Sequence, residues 1–306
     1  MAAGPKPVVV ITGASSGLGR ATAHAFAAEG AAVVLVARSH EALTTVAAEL
    51  NALGAAADTY AIDVGDAAAV QNAASQAVAR FGRIDIWINC AAVLALGRFE
   101  EVPAEAFARV IETNVLGYAN GARAALLQFR AQGGHGVLIN VGSVLGGVTE
   151  PFASAYVTSK FAIRGLSAVL RQEVADTPGI RVCAVLPAAL DTPIYQHAAN
   201  YTRRTARALI PIYDPRRAAK RIVRLARSPK PEIVIGGFGR LLLWASKLTP
   251  RLLEKVIAKV APGLQFTDEP HTPSGGNLFG PAPSSQDAVT GGWRERWLRQ
   301  LFGRGK

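Results

Sequence analysis

Val8-Val9-Val10-Ile11-Thr12-Gly13-Ala14-Ser15-Ser16-Gly17-Leu18-Gly19 is the stretch on which the fold turns. Four β-branched residues in a row, apolar toward both sides, read as a strand buried within a parallel sheet. Glycines close the run, and residues 17–29 continue directly at helical spacing. A strand, a glycine turn and a helix in succession let the backbone approach a bound group, toward which the helix turns its free N–H groups and positive dipole end. A diphosphate fits such a place. The glycine spacing departs from the common G-x-G-x-x-G fingerprint.

The same alternation continues outward along the chain. Strands are expected at Val8–Thr12, Ala32–Ala37, Ala56–Ala61, Ile84–Asn89, Gly136–Val141, Ile180–Leu186 and Glu232–Ile235, with helices near 17–29, 40–53, 66–81, 104–131, 155–175 and 214–227. The strongest runs are continuously apolar, so the expected fold is α/β, a Rossmann-like doubly wound parallel sheet of about seven strands with helices on both faces. Ligands then lie at the carboxyl ends of the strands. Apolar residues make up 50% of the 306 and charged ones 18%, which supports one sizeable core and excludes a disordered chain. Cys90 and Cys183, both inside apolar runs, cannot form a disulfide framework and read as buried thiols of a reducing cytosol. His24, His40, His135, His197 and His271 are scattered, so no metal site is expected. The N-terminus lacks the features of a secretory signal, and no apolar run is long enough to span a bilayer.

Further motifs stand in the order of the short-chain dehydrogenase/reductase family, which the chain resembles over residues 7 to about 235. Thr12-Gly13 through Gly17-Leu18-Gly19 resembles its TGxxxGxG turn, Asn114 its helix asparagine, Ser143 its serine after the strand VLINV, and Tyr156 with Lys160 its Tyr-x-x-x-Lys pair. Tyr156 and Lys160 are one helical turn apart and share a face. The resemblance implies a hydride-transferring oxidoreductase with catalytic residues Asn114, Ser143, Tyr156 and Lys160. Reducing a carbonyl leaves charge on oxygen, and a phenol is a suitable donor once an ammonium lowers its ordinary pKa of about 10. In this reading Tyr156 gives the proton, Lys160 lowers the phenol pKa and holds ribose hydroxyls, Ser143 orients the substrate oxygen, and Asn114 holds a relay water.

The cofactor residues implied are Gly13, Ser15, Ser16, Gly17, Leu18, Gly19, Arg38, Asp63, Val64, Asn89, Ala91, Tyr156, Lys160, Pro187, Leu190 and Thr192. The second strand ends in Arg38 with no acidic residue, which favours a 2′-phosphate and hence NADP(H). Asn89-Cys90-Ala91-Ala92 departs from the family's Asn-Asn-Ala-Gly, and Pro187-Ala188 from its Pro-Gly, which puts the backbone near Cys90 in question. Between Pro193 and Pro215, Ile194, Tyr195, Tyr201, Leu209, Ile210, Ile212 and Tyr213 read as an apolar lid; Val93, Leu94, Ala95, Leu96, Val144 and Leu145 are expected to line the same cleft. The substrate expected is therefore a small-molecule carbonyl or alcohol of lipophilic character, a ketone, an aldehyde, a steroid-like or an acyl compound. Arg203, Arg204 and Arg207 fit an anionic head group, the cofactor phosphate or, the favoured reading, a solvated face.

Residues 1–236 are expected to form the catalytic domain, 237–261 a basic amphipathic helical extension, and 262–306 a flexible linker with a terminal amphipathic segment. The charge is C-terminal: residues 1–202 carry 13 Lys+Arg and 15 Asp+Glu, and residues 203–306 carry 20 and 7. Thr249 and Pro250 read as an N-cap and first-turn proline, and Lys247, Arg251, Lys255 and Lys259 recur every four residues. Trp293, Trp297, Leu298, Leu301 and Phe302 share one side of the last segment. Such helices can lie on an anionic membrane or cap the domain or an interface. Nucleic acid is not an expected partner; the family resemblance implies a homo-oligomer, commonly built through helices near 104–131 and 155–175. The location expected is cytoplasmic, or peripheral at the inner face of a membrane. The rival readings are a weakly catalytic NADP-binding sensor and a peripheral membrane protein on the same fold.

Overall fold

The computed structural model describes residues 6–283 and 287–302. Its strands are β1 (Val8–Thr12), β2 (Ala32–Ala37), β3 (Ala57–Ala61), β4 (Ile86–Asn89), β5 (Ala95–Leu96), β6 (Gly136–Val141), β7 (Ile180–Pro187), β8 (Ala199–Asn200), β9 (Arg204–Ala206), β10 (Glu232–Ile235) and β11 (Phe266–Pro270). Its helices are α1 (Gly17–Ala27), α2 (His40–Ala52), α3 (Ala67–Phe81), α4 (Ala104–Ile111), α5 (Gly117–Ala131), α6 (Ser154–Glu173), α7 (Pro215–Arg227), α8 (Gly237–Leu248), α9 (Pro250–Gln265) and α10 (Trp293–Phe302).

The seven-stranded sheet has the order β10-β7-β6-β4-β1-β2-β3, with every pair parallel. Strand periodicity divides the core in two. Val9, Ile11, Val33 and Leu35 pack beneath α1, α2 and α7, while Val8, Val10, Val34 and Trp87 pack against α3 and α5. The order reverses between β1 and β4, so a crevice opens at their carboxyl ends, where the glycine turn lies.

Three expectations change. The helix expected over 104–131 is interrupted by a π-helical turn, Glu112–Leu116, which contains Asn114. Thr249 stands at the N-cap position of α9 with Pro250 in the first turn, as expected, but its hydroxyl makes no capping bond and donates back to Ala245 O at the end of α8. Of residues 262–292, expected as a mostly unstructured linker, the described ones finish α9, form β11 against β9, and bury Leu278 completely. Their glycines and prolines shape a strap that lies on the domain. The expected placement of the Leu301 and Phe302 side chains, like the N-terminal reading of residues 1–5, lies outside what is described.

Candidate active site

Gly13 takes φ +69, and a Cβ there would lie 2.7 Å from the Ala91 Cα; at Gly19 it would lie 2.0 Å from the Gly13 carbonyl. Only glycine permits this turn to fold so tightly over α1. Thr12 Oγ1 accepts from Cys90 N at 3.0 Å and Ala91 N at 3.2 Å. This bond pair ties the end of β1 to the segment after β4, so the family departure at Cys90-Ala91-Ala92 leaves a well-anchored backbone. Above the turn is a cavity of about 450 Å³ lined by Gly13, Ser15, Ser16, Gly17, Leu18, Gly19, Arg38, Asp63, Val64, Ala91, Pro187, Leu190 and Thr192, and by Ser143, Tyr156 and Lys160.

Two predicted residues are elsewhere. Asn89 is fully buried behind β4, where it accepts from Trp87 Nε1 at 2.9 Å and donates to Tyr118 O and Asn140 Oδ1. Its amide has no face left for the cavity, which corrects the expectation that it meets a cofactor. Asn114 accepts from Val93 N at 2.9 Å and donates to Val93 O and Ser159 Oγ. Its side chain clamps the segment after β4 to α6 at the π turn.

Lys160, 2% exposed, donates to Val141 O at 3.2 Å and lies 5.1 Å from the Tyr156 ring centre. Burial pulls its pKa down to about 8, so the ammonium persists at neutral pH. Burial also pushes the Tyr156 phenol well above its ordinary value, helped by the charges of Glu150 and Cys90 and opposed by a hydrogen bond with Ser143. The shift is thus opposite to the expected lowering, and its largest cause is desolvation of the phenolate. Ser143 Oγ also accepts from Leu145 N at 3.1 Å, which fixes the hydroxyl at the end of β6. Burial drives the Cys90 thiol up to about 12, in keeping with a filler rather than a nucleophile.

Sequence reading missed Glu150. It is 9% exposed in the cavity wall, and burial raises its carboxyl to about 7. Its signal was available, because it is the only Asp, Glu, Lys or Arg between Arg130 and Lys160. Thr113, Tyr195 and His197 also line the cavity, and Leu242, Leu253 and Ile257 of α8 and α9 complete its apolar wall. Of the expected lid, Ile194, Tyr195, Leu209 and Ile210 reach it; Tyr201, Ile212 and Tyr213 do not, nor do Ala95 and Leu96 of β5. Arg207 donates to Leu264 O and Gly263 O, and Arg204 to Thr267 O and Asp268, so these cations pin the end of α9 and β11.

The chain belongs to the short-chain dehydrogenase family, whose model matches residues 7–202. It is accordingly an oxidoreductase of that type. It is similar to the uncharacterized oxidoreductase YxnA of Bacillus subtilis, 36% identical over 268 residues that cover 87% of this chain and 75% of that protein. It is 35% identical to the probable oxidoreductase EphD of Mycobacterium tuberculosis over 80% of this chain but 45% of that one, so it spans less than half of that relative. With 3beta-hydroxysteroid dehydrogenase 1 of Eggerthella lenta it shares 40% identity over 61% of this chain and 71% of the other. A short-chain dehydrogenase from Streptomyces avermitilis superposes with a TM-score of 0.71 at 31% identity, covering 85% of this chain and 99% of that one. An alcohol dehydrogenase from Thermococcus sibiricus complexed with 5-hydroxy-NADP gives 0.66 at 28% identity, covering 75% and 96%.

The family implies a nicotinamide dinucleotide, and the residues present fit one. The glycine turn lets backbone approach closely, Arg38 lies at the end of β2, and the hydroxyl of Thr113 is buried without a hydrogen-bond partner in the cavity wall. Among the described residues no group of His, Cys, Asp and Glu could hold a metal ion.

Proposed function

We propose that this oxidoreductase is an NADP(H)-dependent carbonyl reductase, or the reverse alcohol dehydrogenase, for a small lipophilic substrate. The observation that carries the reading is the convergence of Ser143, Tyr156 and Lys160 on one cavity that begins at the glycine turn and ends in an apolar wall. Ser15, Ser16, Leu18 and the turn backbone would hold the diphosphate, Arg38 a 2′-phosphate, Asp63 and Val64 the adenine side, and Leu190 and Thr192 the nicotinamide amide. The bound dinucleotide supplies the hydride. Ser143 then hydrogen-bonds the substrate oxygen, and Tyr156 gives it the proton. Lys160 holds ribose hydroxyls and, from its place at Val141 O, passes a proton back toward Tyr156 through water near the π turn of Asn114. The upward-shifted phenol stays protonated at neutral pH and so carries the proton to be given. The test is binding of NADPH and NADH, then NADPH oxidation with a panel of lipophilic ketones and aldehydes. Turnover that is lost in Tyr156→Phe with NADPH binding kept supports the reading; equal turnover in the variant refutes it.

Two surface features support the partners. On α8 and α9 an outer row, Leu241 (61% exposed), Trp244 (68%), Leu248, Leu252, Val256 and Val260, stands among Arg240, Lys247, Arg251, Lys255 and Lys259. This fits peripheral docking on an anionic bilayer, with lipophilic substrate reaching the cavity past Val256 and Val260, which also line it. No helix among the described residues is long and apolar enough to cross a membrane. Co-sedimentation with phosphatidylglycerol vesicles, abolished in Trp244→Glu/Leu248→Glu, tests it. Leu116, Leu127, Phe161 and Val169 are exposed on the π turn, α5 and α6, which supports a homo-oligomer built through those helices.

A further inference from the structure

Two polar side chains stand in the cavity wall with hydrogen-bonding capacity that the protein does not use. Glu150 lies between β6 and α6, is 9% exposed, and its carboxyl makes no hydrogen bond or ion pair among the described residues. Burial raises that carboxyl to about 7, with no neighbouring cation among the described residues to offset it. Gln265 ends α9, is 1% exposed, and its Oε1 is buried without a hydrogen-bond partner. Both line the cavity that Ser143 and Tyr156 also line.

The fold brings the two to the same end of the cavity. Phe152 and Phe266, which follow Glu150 and Gln265 closely in the chain, meet edge to face with ring centres 5.5 Å apart. These two rings share one apolar cluster with Tyr156 and Tyr195, and both tyrosines feel the Glu150 charge. The Gln265 backbone is fixed as well: its carbonyl accepts from Arg207 N at 2.8 Å, and β11 begins at the next residue against β9. Secondary structure thus holds both side chains on the Tyr156 side of the cavity.

A carboxyl and an amide oxygen buried without partners destabilise the free protein, a cost that apolar residues of similar size would avoid. What the two can do is bond a group that enters the cavity. That group must donate to Gln265 Oε1 or to the Glu150 carboxylate, and a carboxyl that titrates near neutrality also donates in its protonated form. A hydroxyl meets both demands. An ammonium can only donate, and it loses more hydration beside an apolar wall.

We propose that Glu150 and Gln265 form a second polar subsite that holds a hydroxyl of the substrate, so that the substrates are hydroxy-ketones or, in the reverse direction, diols. This rests on the reading of the cavity as that of a carbonyl reductase. The reacting carbonyl lies at Ser143 and Tyr156, and the carbon skeleton carries the hydroxyl across to Glu150 and Gln265. In the reduction the carbonyl carbon receives the hydride and its oxygen the Tyr156 proton, while the second hydroxyl binds and does not react. Gln265 lies outside residues 7–202, where the family model matches, so the C-terminal extension supplies this half of the subsite.

Steady-state reduction by NADPH of three matched series tests this: methyl ketones of graded chain length, the same ketones with a terminal hydroxyl, and the same with a terminal amine. The wild type is expected to favour a hydroxy-ketone over its parent by about tenfold or more in kcat/KM at the chain length that reaches the subsite, the usual worth of a hydrogen bond to a buried carboxyl. Glu150→Leu and Gln265→Leu should each lower that ratio severalfold. Glu150→Gln, which keeps the shape and the hydrogen bonding, should retain more of it than Glu150→Leu. The readout is a ratio within one variant, so a general loss of active protein does not move it. Where circular dichroism shows that a leucine variant has lost its fold, Glu150→Gln and Gln265→Met take its place. Equal kcat/KM for parent and hydroxy-ketones in the wild type, a ratio unchanged in folded variants, or a preference for the amino-ketones would overturn the proposal. If the wild type reduces no ketone of any series, the carbonyl-reductase reading has failed and this inference with it; reduction without a hydroxyl preference shows that the subsite alone has failed.

Discussion

Replacing Glu150 with glutamine should stabilise the ligand-free protein, and by an amount that grows with pH. Glu150 is 9% exposed, and none of the ion pairs formed by Lys or Arg among the described residues includes it. Burial raises its carboxyl from 4.5 to about 7. An acid whose native pKa lies above its unfolded one favours folding only while it is protonated. Stability is therefore fully present below 4.5, falls as pH rises toward 7, and stays lost above it. The interval corresponds to roughly 3 kcal/mol, at about 1.4 kcal/mol for each tenfold change in proton affinity. Tyr156 and Tyr195, which feel the Glu150 charge, are themselves raised and remain neutral over this range; Asp287, in the wall of the same cavity, is raised by burial to about 6 and is common to both proteins. Glutamine keeps the shape and removes the ionisation. Urea unfolding of both proteins at pH 5 and pH 8 should show a difference below about 1 kcal/mol at the first and near 3 kcal/mol at the second. A difference that does not widen with pH would refute the reasoning, because a packing effect carries no pH dependence.

Other outcomes follow from the same geometry. Arg38→Ser should weaken NADPH binding by about tenfold or more while leaving NADH nearly unchanged, since only the former has the 2′-phosphate an arginine would pair; equal losses by fluorescence titration would remove Arg38 from cofactor choice. Tyr156→Phe should lower turnover by about 10²-fold or more, the usual worth of a positioned proton donor, with nucleotide binding kept. Cys90 and Cys183, whose thiols burial raises to about 12 and about 11, should resist iodoacetamide at pH 7.5 until urea unfolds the chain; rapid labelling of the native protein followed by mass spectrometry would contradict this. Leu127→Glu with Phe161→Glu should yield a monomer by sedimentation if α5 and α6 form the interface, and an unchanged sedimentation coefficient would exclude that face.

The sheet was legible because its evidence is local. β1, β2, β6 and β10 have the bounds expected from their sequence runs, and the glycine turn needs no distant partner to identify it. The motif residues Ser143, Tyr156 and Lys160 were legible through spacing and order, and the fold brings them to one cavity. Asn89 and Asn114 show the limit of such reading. Residue type and position matched the family, but which groups an amide faces depends on Tyr118, Asn140 and Ser159, far away in sequence. The direction of the Tyr156 pKa was likewise set by burial, which no motif encodes.

Sequence alone determined the class of fold, the place of the glycine turn, the candidate trio Ser143, Tyr156 and Lys160 and the basic character of the extension, since each is written in neighbouring residues or in fixed spacings. Tertiary structure decided what the extension covers. Residues 262–292 carry the glycine and proline composition of a loose linker, but Leu278 finds a fully buried site and the strap carbonyls find Gly17 and Arg38, each more than 200 residues upstream. It also decided that Glu150 is a buried carboxyl in the cavity wall. Burial and long-range hydrogen bonding depend on what the rest of the chain brings alongside, so composition could show the material of the strap but not what it packs against.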